Sequence, residues 1–158
     1  MTMLLAEALA ERAAAQDRLN KLTERMTSAA RIQEGDELVE DTPALLVEAE
    51  QLIVGIERLV RLINLTNSNT ELEPGVTLTD ALARRDALLQ ASRTYSKVAD
   101  AAANRRDRYS ASEIRYVPTI DVAAVRKKAD QASQQYRELD TRIQQANWLT
   151  QLADDARG

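Results

Sequence analysis

The 158-residue sequence has no cysteine, no histidine and no phenylalanine, and only three prolines and four glycines. Each absence excludes something. Without cysteine there is no disulfide, no thiol nucleophile and no thiolate ligand. Without histidine, Ser-His triads, the usual zinc sites and the Glu-x-x-His di-iron site of helical bundles are ruled out. Aromatic residues at 3% and the scarcity of glycine argue against a β-sandwich or barrel, which draws on aromatic and β-branched side chains.

Long apolar runs are missing too. The most apolar stretch, residues 45–65, carries Glu48, Glu50, Glu57, Arg58 and Arg61, so it does not read as a membrane span. The opening residues have no basic segment and do not form a signal peptide. A cytoplasmic location is therefore expected, without membrane association. An excess of positive charge is also lacking: the formal net charge is −4. Nucleic-acid binding rests on neutralising phosphates, so no nucleic-acid partner is expected.

What remains is rich in Ala, Leu, Glu, Arg and Gln, all good helix formers. Glycine and proline gather at Gly35 with Pro43, at Pro74 with Gly75, and at Pro118. Three interruptions imply four helices. The first runs from about Met3 to Gln33. The second starts at Pro43, with Asp41 or Thr42 as cap, and ends around Thr66, before a turn-forming Asn67-Ser68-Asn69-Thr70. The third starts after Thr77 or Thr79 and ends near Arg108. The fourth starts after Thr119. The fold class expected is all-α, a bundle of four long antiparallel helices forming a single domain over residues 1–158.

Apolar registers support coiled-coil-like packing. The first helix gives Leu5, Ala8, Arg12, Ala15, Leu19, Leu22, Met26 and Ala29. The third gives Leu78, Ala81, Arg85, Leu88, Ser92, Tyr95, Ala99 and Ala102. The fourth gives Val122, Val125, Ala129, Ala132, Tyr136, Leu139, Ile143 and Ala146. The second has a wider stripe, including Leu46 and Ile53, and is expected to be the most buried. Gly55 in its middle costs about 1 kcal/mol against Ala, which predicts a close backbone approach there. Glu113-Ile114-Arg115-Tyr116-Val117 alternates as a short strand does, with Glu37-Leu38-Val39-Glu40 as a candidate partner.

Ile63-Asn64-Leu65-Thr66-Asn67, Leu82-Ala83-Arg84-Arg85-Asp86, and Leu139-Asp140 followed by Ile143-Gln144 and Asn147-Trp148 recur in a fixed order after Gln33-Glu34-Gly35. This order resembles a family of small, uncharacterised helical bacterial proteins labelled septicolysin-like, over nearly the whole chain. The resemblance implies a helical fold and, through its label, a pore-forming activity. Lysis needs a long apolar span or a basic amphipathic helix. The third helix, with Arg84, Arg85, Arg93, Arg105 and Arg106, is the candidate for it.

In an up-down-up-down bundle, with 1.5 Å of rise per residue, polar residues converge at one end. Asn64, Thr66, Asn67, Asn147 and Trp148 form an amide-rich tier. Arg12, Arg85, Asp86 and Asp140 form a charged tier deeper in. An unpaired buried guanidinium costs several kcal/mol, so Arg12 or Arg85 is expected to pair with Asp86 or Asp140. Such a cluster fixes helix register, binds a ligand, or does chemistry; composition alone does not choose. At the other end the acidic linker Glu34, Asp36, Glu37, Glu40 and Asp41 is expected to face Arg105, Arg106, Arg108 and Arg115. No residue set fits a catalytic, metal or cofactor arrangement. All-helical pyrophosphatases use paired carboxylate motifs on two helices, and no second motif exists here. The function expected is non-enzymatic, by self-association as a homo-oligomer or by binding another protein. The alternatives are a membrane-active protein and a small-ligand binder.

Overall fold

The computed structural model describes residues 3–103 and 116–155. The chain is all-α: four long helices and one two-stranded β-hairpin. Helix α1 spans Leu5–Ala29, α2 Thr42–Asn69, α3 Leu78–Ala103 and α4 Val122–Leu149. Strands β1, Glu71–Glu73, and β2, Val76–Thr77, pair with each other. No helix among the described residues is long and apolar enough to cross a membrane.

The chain divides into two compact units. The first holds α1, α2 and the chain from Gln145 onward; the second runs from Leu72 to Gln144. Helix α4 thus contributes to both.

In the first unit α1 and α2 pair antiparallel. Arg18 Nε donates to Glu48 at 3.0 Å, and Arg25 donates to Glu40 at 3.0 and 2.7 Å. Residue numbers rise along one helix as they fall along the other. Every position of the expected α1 register is buried or half-buried, with Leu5, Ala8 and Leu22 closed off from solvent. Helix α1 has no side-chain cap; Glu7 accepts from the Leu4 amide instead, at 2.7 Å. The chain from residue 150 lies alongside its start. Leu5 N–H donates to the Thr150 carbonyl at 2.9 Å, and Leu152 N–H to Met3 at 2.8 Å.

Helix α2 begins as expected. The Asp41 carboxylate accepts from the Ala44 amide at 3.0 Å, with Pro43 in the first turn. Such a cap is worth about 1 kcal/mol. Its end differs: the helix continues through Asn67 to Asn69. The reason is tertiary. Thr66 is buried, its hydroxyl donates to the Leu62 carbonyl, and it accepts from the Ala153 amide at 2.9 Å. That anchor holds the last turn against the turn preference of Asn-Ser-Asn.

The second unit starts with the hairpin. Gly75, at φ +79°, follows Pro74 in the positions a type II turn reserves for them. Thr77 and Asp80 then cap α3 reciprocally. The Asp80 amide donates to Thr77 Oγ1 at 3.1 Å, and the Asp80 carboxylate accepts from the Thr77 amide at 3.0 Å and hydroxyl at 2.7 Å. Asp121 caps α4 through the Ala124 amide. Helices α3 and α4 run antiparallel, crosslinked by Arg85–Asp140 at 3.1 Å and Asp100–Arg126 at 3.1 Å. Their seam is made of small residues: Ala81, Ala99, Ala129 and Ala132 are buried beside Leu78 and Ile143.

Three expectations change. The segment Glu37–Glu40 is not a strand; Glu40 is drawn to Arg25 on α1. The expected strand near 113–117 lies mostly outside the described residues, and Tyr116 and Val117 have no regular structure. Arg105, Arg106, Arg108 and Arg115 also lie outside them. Finally, the apolar stripe of α2 is only partly covered: Leu46, Val47, Ile53 and Val54 are 50%, 53%, 53% and 67% exposed. Its broad stripe has two edges, and α1 covers one.

Candidate functional site

The first unit contains an open groove of about 480 Å³ between α1, α2 and the chain from Leu152 to Asp155. Its floor is aliphatic, from Ala15, Leu52, Leu59, Leu62 and Leu152. These positions follow from the helical period: 52, 55, 59 and 62 recur on one face of α2. Gly55 lies in that row, and a Cβ built on it would meet nothing within 4 Å. The close backbone approach expected at this glycine does not exist. The glycine faces open space on the groove side.

The rim is charged. Arg18 is neutralised by Glu48. Asp155, with its side chain 17% exposed, accepts from Arg58 Nε at 2.8 Å and from both terminal nitrogens of Arg61 at 3.0 and 3.2 Å. The hydrogen bonds to Asp155, against the opposing effect of burial, raise the Arg61 pKa further above its already high value. This double arginine grip, with the Ala153–Thr66 bond, latches the C-terminal wall onto α2. Glu11 and Asp154 also line the groove, and neither makes a hydrogen bond or ion pair among the described residues.

The residues singled out from the sequence divide between the two units. Arg12, Asn64, Thr66, Asn67, Asn147 and Trp148 belong to the first, and Arg85, Asp86 and Asp140 to the second. In the first, Thr66 and Asn147 are buried and Asn67 is half-buried, while Asn64 and Trp148 face solvent. Thr66 clamps the C-terminal segment rather than facing a ligand. Arg12 is half-buried and has no ion-pair partner among the described residues. In the second unit Arg85 is joined to Asp86 at 3.0 Å and to Asp140 at 3.1 Å. Burial disfavours its charge, but the two carboxylates outweigh that and raise its pKa. This is a half-buried crosslink: the Arg85 and Asp140 side chains are 24% and 31% exposed.

None of those nine residues lines the groove. Sequence reasoning missed it because its floor consists of ordinary seam residues and its wall comes from a segment without periodicity. Gly55 was the one signal.

Comparison with known proteins agrees with the fold. No curated protein matches the chain. A solved structure described as a functionally unknown conserved protein from Corynebacterium diphtheriae is 50% identical, covers 97% of this chain and 100% of its own, and superimposes with a TM-score of 0.91. The model of a family of unknown function, DUF6847, matches residues 12–152, and the chain belongs to that family.

Proposed function

We propose that the protein is a non-enzymatic, cytoplasmic helical interaction protein that assembles with a second copy of itself, the exposed face of α2 docking on the outer face of α3. The observation that carries this reading is the uncovered stripe on α2. Leu46 and Ile53, and Val47 and Val54, are seven residues apart, so they line one side of the helix. All four are at least half exposed. Burying one such side chain is worth about 1.5–3 kcal/mol, and exposed apolar residues grouped on one side of a helix point to an association surface.

Charge argues for the second copy as occupant. Glu50 and Glu57 lie along the same side of α2 and are exposed. Helix α3 offers exposed residues of complementary kinds: Tyr95 and Val98 are 36% and 44% exposed, and Arg93 and Lys97 are exposed elsewhere on the same helix. The acidic, apolar stripe of α2 and a helix bearing exposed basic and apolar residues on the same chain can meet in a pair of copies. Complementary charge selects the partner and register while apolar burial supplies the affinity.

Light scattering at micromolar protein tests it, with a multiple of the 17.6 kDa chain mass expected. Ile53→Lys should give a monomer of unchanged helix content. Glu50→Lys with Glu57→Lys should weaken the assembly, and adding Arg93→Glu with Lys97→Glu should restore it. A monomer for the unaltered protein at tens of micromolar would remove the proposal. Dye release from lipid vesicles by submicromolar protein would replace it with the lytic activity that the septicolysin label names.

A further inference from the structure

We infer that the groove of the first unit is a binding site for a small amphipathic amine, an apolar body carrying one primary ammonium group. On α2 the groove residues lie on the face opposite the Leu46–Ile53 stripe, so this inference stands apart from the association proposal. Three observations carry it.

The first is size and lining. A concavity of about 480 Å³ falls within the 300–1,000 Å³ usual for small-molecule sites, and its aliphatic floor beneath a charged rim offers both kinds of contact to an amphipathic ligand. The second is Gly55. Mid-helix glycine costs about 1 kcal/mol relative to Ala, and here no neighbouring backbone requires it. Any larger residue would project into the groove, so the effect of glycine at this position is to keep the space open.

The third is the charge left over after pairing. Around the rim, Arg18 is matched by Glu48, and Arg58 by Asp155. Glu11 from α1 and Asp154 from the C-terminal wall remain, two carboxylates without partners among the described residues. A cation balances them, while an anion would meet net negative charge. No aromatic ring lines the groove, so it lacks the cage that recognises quaternary ammonium through cation–π attraction. A primary ammonium, with three donors, suits two carboxylate acceptors.

Calorimetric titration of the full chain with 4-phenylbutylamine near neutral pH tests the site, with 4-phenylbutanol as the uncharged counterpart. The amine should bind with Kd below about 1 mM, and the alcohol at least about tenfold more weakly, as expected for the loss of one charge-assisted contact. Glu11→Gln combined with Asp154→Asn, both at exposed positions, should abolish that preference by weakening the amine alone. Gly55→Leu should fill the groove and remove binding of both. If Gly55→Leu fails to fold, the carboxylate pair still decides. Equal binding of amine and alcohol, no binding of the amine at millimolar concentration, or an undiminished preference in the Glu11→Gln/Asp154→Asn protein would each overturn the inference.

Discussion

The two units solve one problem, an antiparallel pair of long helices, in opposite ways. In the second, alanines close the seam and charges crosslink it along its length, at Glu73–Arg142, Arg85–Asp140 and Asp100–Arg126. In the first, a groove lies open between the helices, an apolar stripe faces outward, and two carboxylates on the groove rim lack partners among the described residues. Small seam residues do different things in the two places. Ala99 is wholly buried and lets helices meet; Ala15 and Gly55 border a hollow. The comparison sets a seam closed by small residues against one that leaves a groove.

Truncation should hurt most where the first unit is closed. Ile63→Ala removes a side chain that is 2% exposed and should destabilise by about 2–5 kcal/mol, read as a lower urea midpoint. A cost under about 1 kcal/mol would mean that the open groove loosens the whole helix pair.

Enlargement should then distinguish the seams. Ala99→Leu, at 0% exposure, overpacks the second unit and should cost about 1–3 kcal/mol. Ala15→Leu, bordering the groove, should stay within about 0.5 kcal/mol. Equal costs in urea melts would erase the contrast between closed and open seams.

How far the sequence revealed this contrast depends on the kind of signal. Periodicity exposed the buried faces of α1 and α4, because one apolar residue every three or four positions has a single face to cover. It misled on α2, whose wider stripe has an edge that α1 does not cover. The β-hairpin was overlooked although Leu72, Pro74-Gly75 and Val76 spell a tight turn between short strands; three residues are too few to stand out from a helix boundary. Arg85 demanded a carboxylate wherever the chain could supply one. The partners of Arg58 and Arg61 could not be guessed, since Asp155 lies 94 residues beyond Arg61 in a segment with no repeating pattern.

A smaller effect grades the crosslinks of the second unit. Asp140→Ala leaves Arg85 with Asp86 and partial solvent access, so the loss should be about 1–2 kcal/mol. Asp100→Ala breaks an exposed pair, 67% open at the carboxylate, and should cost at most about 1 kcal/mol. Reversed order would show that burial does not set the strength of these links.

The mildest test uses acid. The hydrogen bond from Arg142 holds the Glu73 carboxyl below its ordinary value of 4.5, and the Thr77 hydroxyl and amide hold Asp80 below 3.8. The folded state therefore binds fewer protons than the unfolded chain, and these groups stabilise at higher pH. Their contribution is complete above the ordinary values and disappears as pH falls through the depressed ones. Thermal unfolding followed downward from about pH 5 should show this loss, and it should be shallower in Asp80→Asn. An identical slope in the variant would remove the cap from the account.

The latch on α2 also orders events in time. The first unit is discontinuous in sequence: its helical pair is complete by Asn69, but Ala153 and Asp155, which bind Thr66, Arg58 and Arg61, are made only after the second unit. At about 5–20 residues per second of synthesis, α1 and α2 exist for several seconds without the wall of their groove. Synthesis of the segment beyond α4, rather than formation of the first two helices, is thus the step that completes the site.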